Sequence, residues 1–214
     1  MVAVTIFSPI INNVDENGVS IGDYFLSDKT FVHVKDYDGK KKVIGVVGYI
    51  NKDGEAIITA IEQKRLEWSK DFELVDNLKT LDTYEKAYED MKGREYTKTV
   101  IESKQYSDSR YPAFAYVKNF KTEGTNKGDW YLSAPGELNE SVAKNMLFIN
   151  IALILLNDPK NVKLIELDHY WASAECSQDG AWRCYTGSAD VGYDYYKWSS
   201  IYVRPSLAFK INAD

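Results

Sequence analysis

The sequence predicts an α+β fold in which strands come first, two principal helices follow, and strands return towards the end. Strand-like segments separated by turn residues fill residues 22–61, apolar residues with helical spacing fill residues 112–156, and short strand-like runs follow Pro159. Because strands and helices are segregated along the chain, this order favours α+β over a parallel α/β fold. We interpret residues 22–214 as one domain, preceded by an N-terminal arm at residues 1–21.

The composition is that of an ordinary globular protein with an excess of tyrosine. The 214 residues are 44% hydrophobic and 27% charged, which is enough to bury a core without metal or disulfide staples. The 16 tyrosines exceed the needs of a core, because each buried hydroxyl must find a partner. The net charge of −6 argues against nucleic acid as a partner, since that binding depends on clustered Lys and Arg.

The first strands are predicted to form an antiparallel meander. Asp38-Gly39 and Asp53-Gly54 lie between runs rich in β-branched residues, and Asp-Gly pairs in that position are strong hairpin signals. We therefore expect consecutive strands to be neighbours, joined by a tight turn at each pair.

Residues 64–110 are polar and weakly periodic, and two short helices are predicted there. Thr97 is a candidate cap for one of them, and residues 85–91 are a candidate for the other. The principal helices are predicted to begin at Pro112 and Pro135, because proline suits the first helical turn. In each of them apolar residues share one face, which we interpret as core: Phe114, Val117 and Phe120 in the first, and Leu138, Val142, Met146, Ile149, Leu153 and Leu156 in the second.

The N-terminal residues do not have the basic region and small-residue cleavage site of a secretory signal peptide. The longest apolar run, residues 146–156, contains Asn150 and is too short to cross a bilayer, so no membrane insertion is expected. Localisation stays open. Either the protein acts where it is made, it leaves the cell in a larger particle such as a virion, which we prefer, or a leader for the bacterial cell surface has been removed.

The sequence offers little for catalysis. It has no phosphate-binding loop, nucleophile elbow, dinucleotide fingerprint or zinc-protease helix. The two histidines, His33 and His169, are interpreted as structural, and acidic pairs in turns as solvated charge. Cys176 and Cys184 match no metal-ligand spacing and are expected to be free thiols, unless an oxidising compartment joins them. We predict that the protein is not an enzyme and has no catalytic residue, metal or cofactor.

The C-terminal third is rich in large rings. Strand alternation assigns Trp182 and Cys184 to one face of a strand and Arg183 and Tyr185 to the other, and it points Tyr202 outward. Tyr, Trp and Arg dominate interface hot spots, because a stiff ring buries a large area at little entropic cost. The outward set therefore indicates a binding surface.

Residues 187–197 are predicted to be irregular, because Gly187, Gly192 and Asp194 disfavour a regular strand. Rings on an irregular segment tend to be partly exposed. The alternative interpretation is that these rings cover a loop-rich core.

Several segments resemble, in order and spacing, C-type-lectin-fold domains of surface proteins from gut bacteria and their phages. The resemblance runs from about Gly22 to Phe209, and the segments are "GDYFLSDKTFV", "VIGVVGYI", "YPAFAYVKNF", "GDWYLSAPGELN", "YWASAE", "AWRCY" and "YVRPSLAF". Related families are the variable proteins diversified by retroelements and, more distantly, the formylglycine-generating enzymes.

This resemblance implies a small twisted antiparallel sheet, two main helices and a loop-rich C-terminal ligand face. The scaffold residues it implies are Trp171, Ser173, Glu175, Trp182, Val203, Arg204, Pro205 and Phe209. The ligand-facing residues it implies are Ser177, Gln178, Asp179, Arg183, Tyr185, Asp190, Tyr193, Asp194, Tyr195, Trp198 and Tyr202. The motifs of calcium-dependent sugar-binding lectins are absent from the sequence, so neither calcium nor carbohydrate follows from the fold.

The sequence thus leads to a non-enzymatic protein that binds a ligand or receptor, a protein or glycan on a cell surface, through its C-terminal aromatic face. Phage receptor-binding proteins and retroelement-diversified variable proteins are the forms the resemblance favours. Two alternatives are a structural or virion assembly subunit that buries the face in a homo-oligomer, and a trimmed bacterial adhesin domain. A third, remote alternative is a thiol oxidase using Cys176 and Cys184.

Overall fold

The computed structural model describes residues 18–211, which form two five-stranded sheets and five α-helices. This confirms the α+β class. The strands are β1 Tyr24–Leu26, β2 Phe31–Val32, β3 Val43–Ile50, β4 Glu55–Ala60, β5 Lys64–Leu66, β6 His169–Glu175, β7 Gly180–Tyr185, β8 Asp190–Tyr196, β9 Ile201–Val203 and β10 Ser206–Lys210. The helices are α1 Tyr84–Tyr88, α2 Gly93–Glu102, α3 Pro112–Asn119, α4 Pro135–Leu138 and α5 Met146–Leu155.

The first sheet has the order β10-β4-β3-β1-β2 and is antiparallel throughout. The hairpin predicted at Asp53-Gly54 is confirmed, since β3 and β4 are paired neighbours on either side of it. The meander is wrong at Asp38-Gly39, because β2 and β3 both pair with β1 and not with each other. The chain does bend at Asp38-Gly39, as this pair predicts. However, the buried apolar strand that follows, β3, pairs with β1 and not with β2.

The second sheet has the order β5-β9-β6-β7-β8 and is antiparallel except where β6 meets β9 in parallel. The structure therefore has two sheets in place of the single small antiparallel sheet that was expected. Residues 190–196, which were predicted to be irregular, form β8, the edge strand of this sheet. The prediction failed because an edge strand can tolerate an interruption of its pairing. Strand β8 pairs only with β7, and a bulge in that pairing accommodates the residues next to Gly192.

The predicted start of the first principal helix was correct, and the predicted cap of the helix before it was not. Helix α3 begins at Pro112 and buries Phe114 and Val117, as predicted, whereas Phe120 follows the helix as its C-cap residue and is buried in a separate core cluster. Helix α2 begins at Gly93, so Thr97 lies within it and does not cap it. The Thr97 hydroxyl is instead used in hydrogen bonds with the backbone of another segment, the N–H and C=O of residue 132.

The second principal helix is bent. It consists of α4, a π-helical turn at Asn139–Ala143, and α5, and the two halves meet at 54°. Asn145 lies at the bend and donates to the carbonyls of Gly48 and Glu140, which ties the break to β3. Within residues 18–211 no single helix is long and apolar enough to span a membrane, although the bent pair meets that test when its halves are taken together.

Candidate ligand-binding face

The predicted alternation along the C-terminal strands is confirmed. In β7, Trp182 and Cys184 are buried while Arg183 and Tyr185 are half-buried, and in β9 Tyr202 is half-buried between two buried residues. The residues assigned to the scaffold are buried, with the exception of Phe209, which is half-buried. The alternation therefore separates residues that hold the sheet from residues that reach its surface.

A bulge in β8 sends neighbouring tyrosines to opposite sides of the sheet. Ala181 pairs with Tyr195 and Arg183 pairs with Gly192, so residues 193 and 194 stand opposite the single residue Trp182. Tyr193 consequently contacts Trp182, with ring centroids 5.3 Å apart, whereas Tyr195 lies on the side of Arg183. The eleven candidate residues therefore do not form one continuous face.

One group of candidates lies on the surface of the second sheet. Tyr185 and Tyr195 flank His169, with ring centroids 5.0 and 4.6 Å from the imidazole, and the Arg183 guanidinium carbon lies 5.3 Å from the Tyr195 ring. We call these four residues the sheet-face cluster. Gly192 makes the arrangement feasible, because a Cβ atom there would approach the Arg183 guanidinium to 2.7 Å. The cluster combines closely packed, tilted rings with a cation, a composition suited to binding.

A second group of rings stands out from the end of the same sheet. Tyr196 and Trp198 are stacked with their centroids 4.4 Å apart and planes at 9°, and Phe72 meets Trp198 edge-on at 4.4 Å. These rings are between 38% and 54% exposed, although they contact one another. We call Phe72, Tyr196 and Trp198 the aromatic ridge.

The tip of the β6–β7 hairpin lies beside the ridge. Ser177, Gln178 and Asp179 are exposed there, and the hairpin is joined to the base of the ridge by a hydrogen bond of 2.9 Å from the Lys197 N–H to the Asp179 carbonyl. Three candidates at the hairpin tip are thus tethered to the segment that carries a fourth, Trp198.

A buried ion pair lies beneath the ridge. Lys197 Nζ is 2.7 Å from Glu175 Oε2 and donates to the carbonyls of Glu73 and Gln178, both at 3.0 Å. The other Glu175 oxygen accepts from the Val75 N–H at 3.0 Å. Burial raises the pKa of the Glu175 carboxyl, and the nearby ammonium group opposes that shift. One pair therefore joins three segments that carry ridge or hairpin-tip residues.

The remaining candidates lie apart from these two groups. Tyr193 packs against Tyr84 of α1, at 5.1 Å, and Asp190 accepts a hydrogen bond from Tyr88 at 3.3 Å. Tyr202 stacks on a buried tyrosine and carries the Arg65 guanidinium 4.7 Å from its ring centroid. The backbone of Asp194 lies in β8, and its side chain is outside the described part of the structure.

Sequence reasoning missed important parts of this site. Phe72 was overlooked because it is a lone ring in a polar, weakly periodic segment, and nothing local distinguishes it. Tyr196 was left out of the ligand-facing set although Tyr193 and Tyr195 of the same segment were in it, and nothing in the local sequence distinguishes the three. Lys197 was overlooked as well, although a lysine within a run of rings was a signal, since a buried lysine needs a charged partner.

The two cysteines do not lie in an environment that activates a thiol. Cys176 is half-buried and Cys184 is buried, and both are free thiols. Burial raises the pKa of both thiols, that of Cys184 to about 12, which is the opposite of an activated cysteine. Across residues 18–211, no three His, Cys, Asp or Glu side chains are grouped so as to hold a metal ion.

No protein-family model matches the chain, and no curated protein matches it in sequence. Among solved structures, the fold is similar to that of a fimbrial protein from Bacteroides ovatus, with a TM-score of 0.67 and 15% sequence identity. The match covers 89% of this chain and 49% of the fimbrial protein, so the chain spans about half the length of that protein. The α+β arrangement seen here is thus one that a bacterial fimbrial protein also has.

Proposed function

We propose that this chain is a non-enzymatic surface protein of the adhesin type, which binds a protein or glycan through the aromatic ridge, the hairpin tip and the sheet-face cluster. The observation that carries the proposal is the ridge itself, in which three partly exposed rings are held above a fully buried ion pair. The fold similarity to a fimbrial protein supports a location on a surface.

The energetics of the ridge favour binding over a purely structural role. Rings already fixed by contact with each other and with a rigid base lose little conformational freedom when a partner covers them. Exposed aromatic side chains next to polar groups that can orient a ligand are typical of hot spots. The Lys197–Glu175 pair supplies the rigid base, because it fixes the backbone on both sides of the ridge.

More specific forms of this function would use the same binding face and differ in whether a phage or a bacterial cell carries the protein. A C-type-lectin-like receptor-binding protein of a phage and a retroelement-diversified variable protein both use a C-terminal ligand face, as the resemblance in the sequence implies. The genes on either side of this one, a virion cassette or a retroelement, distinguish these versions from a bacterial adhesin.

The test is a binding measurement on ridge variants. The probes are a glycan microarray and intact gut-bacterial cells, and the variants are Trp198→Ala and Phe72→Ala. Each should weaken binding by about 1–3 kcal/mol and change the melting temperature by no more than a few degrees. Leu147→Ala, which shortens an exposed side chain on α5, is the control and should bind like the parent chain.

Two results would contradict the proposal. A large fall in melting temperature for both ridge variants would mean that the rings belong to the core. Oligomers in sedimentation that dissociate on Trp198→Ala would favour the alternative function, an assembly subunit that buries the ridge against its own copies.

A further inference from the structure

Exposed carboxylates neighbour two of the three rings of the aromatic ridge. Asp71 and Glu73 flank Phe72 in the chain, and their side chains are 42% and 60% exposed. Asp179 is exposed at the hairpin tip, next to the residue that pairs with Tyr196. Neighbouring Cα atoms along a chain are about 3.8 Å apart, well inside the range of about 8–10 Å over which exposed charges interact. A charged group bound at the ridge would therefore feel these carboxylates.

The cations beside the ridge leave an excess of negative charge. The Arg110 guanidinium pairs with both Asp71 and Glu73, and its Nη2 lies 2.7 Å from the Glu73 Oε2. Lys197 lies beneath the ridge, where its buried pair with Glu175 neutralises it. Among the ion pairs that the described residues form here, the three exposed carboxylates thus share one guanidinium group.

The ridge also offers an open aromatic face. Trp198 stacks on one side of Tyr196, with planes at 9° and centroids 4.4 Å apart. Tyr196 is nevertheless 54% exposed, so its opposite face is open to solvent. The face of an aromatic ring attracts cations, because its quadrupole places negative charge there. An open ring face beside exposed carboxylates is therefore suited to a cation.

The chain itself contains an example of this arrangement. The Arg65 guanidinium carbon lies 4.7 Å from the Tyr202 ring centroid, and Arg65 Nη1 lies 2.6 Å from an Asp168 carboxylate oxygen. One guanidinium group thus contacts a ring and a carboxylate at the same time. Its planar, delocalised shape permits both contacts, whereas the ammonium group of lysine is a compact point charge.

We propose that the partner of the aromatic ridge is a protein that presents basic side chains, arginine above all, which rests on the ridge being the binding surface proposed for this chain. An arginine over the open face of Tyr196 would also pair with the exposed carboxylates. An acidic glycan would be repelled by these charges, and a neutral glycan would gain nothing from them. The net charge of −6 attracts a basic partner over a longer range.

The first experiment is an NMR titration of the ¹⁵N-labelled chain with two capped peptides. One is Gly-Arg-Gly-Arg-Gly, and the other has citrulline, which is uncharged and of similar shape, in place of arginine. Trp198 is partly exposed and the other four tryptophans are buried, so the indole N–H signal that Trp198→Ala removes reports on the ridge. We expect the arginine peptide to shift this signal and to bind about tenfold more tightly than the citrulline peptide, and added salt to reduce the difference.

Neutralising the carboxylates is the second experiment. Glu73→Gln combined with Asp179→Asn removes two exposed charges and leaves Asp71 to pair with the guanidinium group. This double variant should bind the arginine peptide about fivefold more weakly, since each exposed charge contributes little singly. Asp53→Asn combined with Glu123→Gln makes the same change of charge at exposed positions outside the ridge, and this control should bind like the parent chain.

Two results would overturn the basic partner. Equal affinities for the two peptides, or no shift of the Trp198 signal with either, would show that the ridge does not select a cation. The function proposed for the ridge would still stand if Trp198→Ala weakened binding to intact gut-bacterial cells.

The same cell-binding measurement separates the other cases. Full cell binding by the Glu73→Gln and Asp179→Asn double variant, together with a loss in Trp198→Ala, would assign the ridge to an uncharged glycan. Unchanged cell binding by Trp198→Ala would contradict the proposed function itself, and the basic partner with it.

Discussion

Glu175 and Glu137 are both buried carboxyl groups, yet their partners differ in charge. Glu175 lies 2.7 Å from the Lys197 ammonium group beneath the aromatic ridge. Glu137, in the first turn of α4, accepts hydrogen bonds from the N–H groups of Ala134 and Gly93 at 2.9 and 3.1 Å. One carboxyl group is therefore held by a cation and the other by neutral dipoles.

The difference shows what each buried acid does for the fold. Burial raises the pKa of Glu137 to about 8, so this group is mostly protonated at neutral pH and joins α4 to α2 without carrying a full charge. For Glu175 the neighbouring cation opposes the effect of burial. The charged pair is placed under the candidate binding surface, where it fixes the geometry of several loops at once.

Replacing the cation of the ion pair is expected to have the largest effect. Lys197→Met should lower the free energy of unfolding by about 3–5 kcal/mol, because it leaves the Glu175 carboxylate buried without a counter-charge. Chemical denaturation measures this loss. Lys86→Met, which removes the lysine of the exposed pair with Asp82, is the matched control and should leave stability unchanged.

A double variant identifies the cause. If the loss comes from the orphaned charge, Lys197→Met combined with Glu175→Gln should recover part of it. Equal losses in the single and double variants would instead assign the cost to the hydrogen bonds that Lys197 makes to the backbone.

The second prediction concerns pH and separates the two carboxyl groups. The folded pKa of Glu137, about 8, lies above the ordinary value of 4.5, so its contribution to stability is present below about pH 4.5 and is lost as the pH rises to about 8. Glu137→Gln removes this titration. The variant should gain on the parent chain by on the order of 1 kcal/mol per pH unit across that window.

Urea denaturation between pH 4 and pH 9 tests this expectation. The amide can keep the same geometry, because its oxygen accepts from the two N–H groups while its nitrogen donates to the Tyr131 hydroxyl, which now lies 3.3 Å from a carboxylate oxygen. Parallel pH profiles for the parent and Glu137→Gln would contradict the raised pKa.

In the second sheet, the sequence predicted the scaffold residues better than it predicted the binding surface. Glu175, Trp171 and Trp182 were assigned to the scaffold by the family resemblance, and Trp182 also by strand alternation, because both depend on local sequence. Phe72 and Lys197 could not be placed, since their roles depend on contacts between segments far apart in the chain. The local pattern thus gave the strands, while the ridge arose from tertiary contacts.

Strand β8 is a second case in which tertiary contacts, and not local sequence, determined the structure. Its glycine and aspartate predicted irregular backbone, and propensity was overridden by pairing with β7. The bulge that resolves the conflict also decides which side Tyr193 and Tyr195 occupy, and no rule of simple alternation contains that information. Exposure of rings was correctly expected, but their division into separate groups was not.

The third prediction uses a glycine beside Glu137. A Cβ atom on Gly93 would lie 2.5 Å from the Ala134 nitrogen and 2.8 Å from the Leu132 carbonyl oxygen, and backbone atoms cannot easily move away. Gly93→Ala should therefore cost about 1–3 kcal/mol of unfolding free energy, as overpacking does. An unchanged melting temperature would mean that α2 and α4 are less tightly joined than the contacts indicate.

The last prediction concerns Gly180, a glycine on the side of the ion pair. Its substitution is expected to change the free energy of unfolding the least. A Cβ atom on Gly180 would approach the Cys176 sulfur to 2.8 Å and the Ser177 hydroxyl oxygen to 2.9 Å, which are ends of side chains and can rotate away. Gly180→Ala should therefore cost less than about 1 kcal/mol, since strain relieved by a rotamer change is small. Differential scanning calorimetry of Gly180→Ala and Gly93→Ala compares the two regions directly. If Gly180→Ala were the more damaging of the two, the hairpin tip would be as rigid as the α2–α4 junction, and the ridge beside it would be held by more than the buried pair.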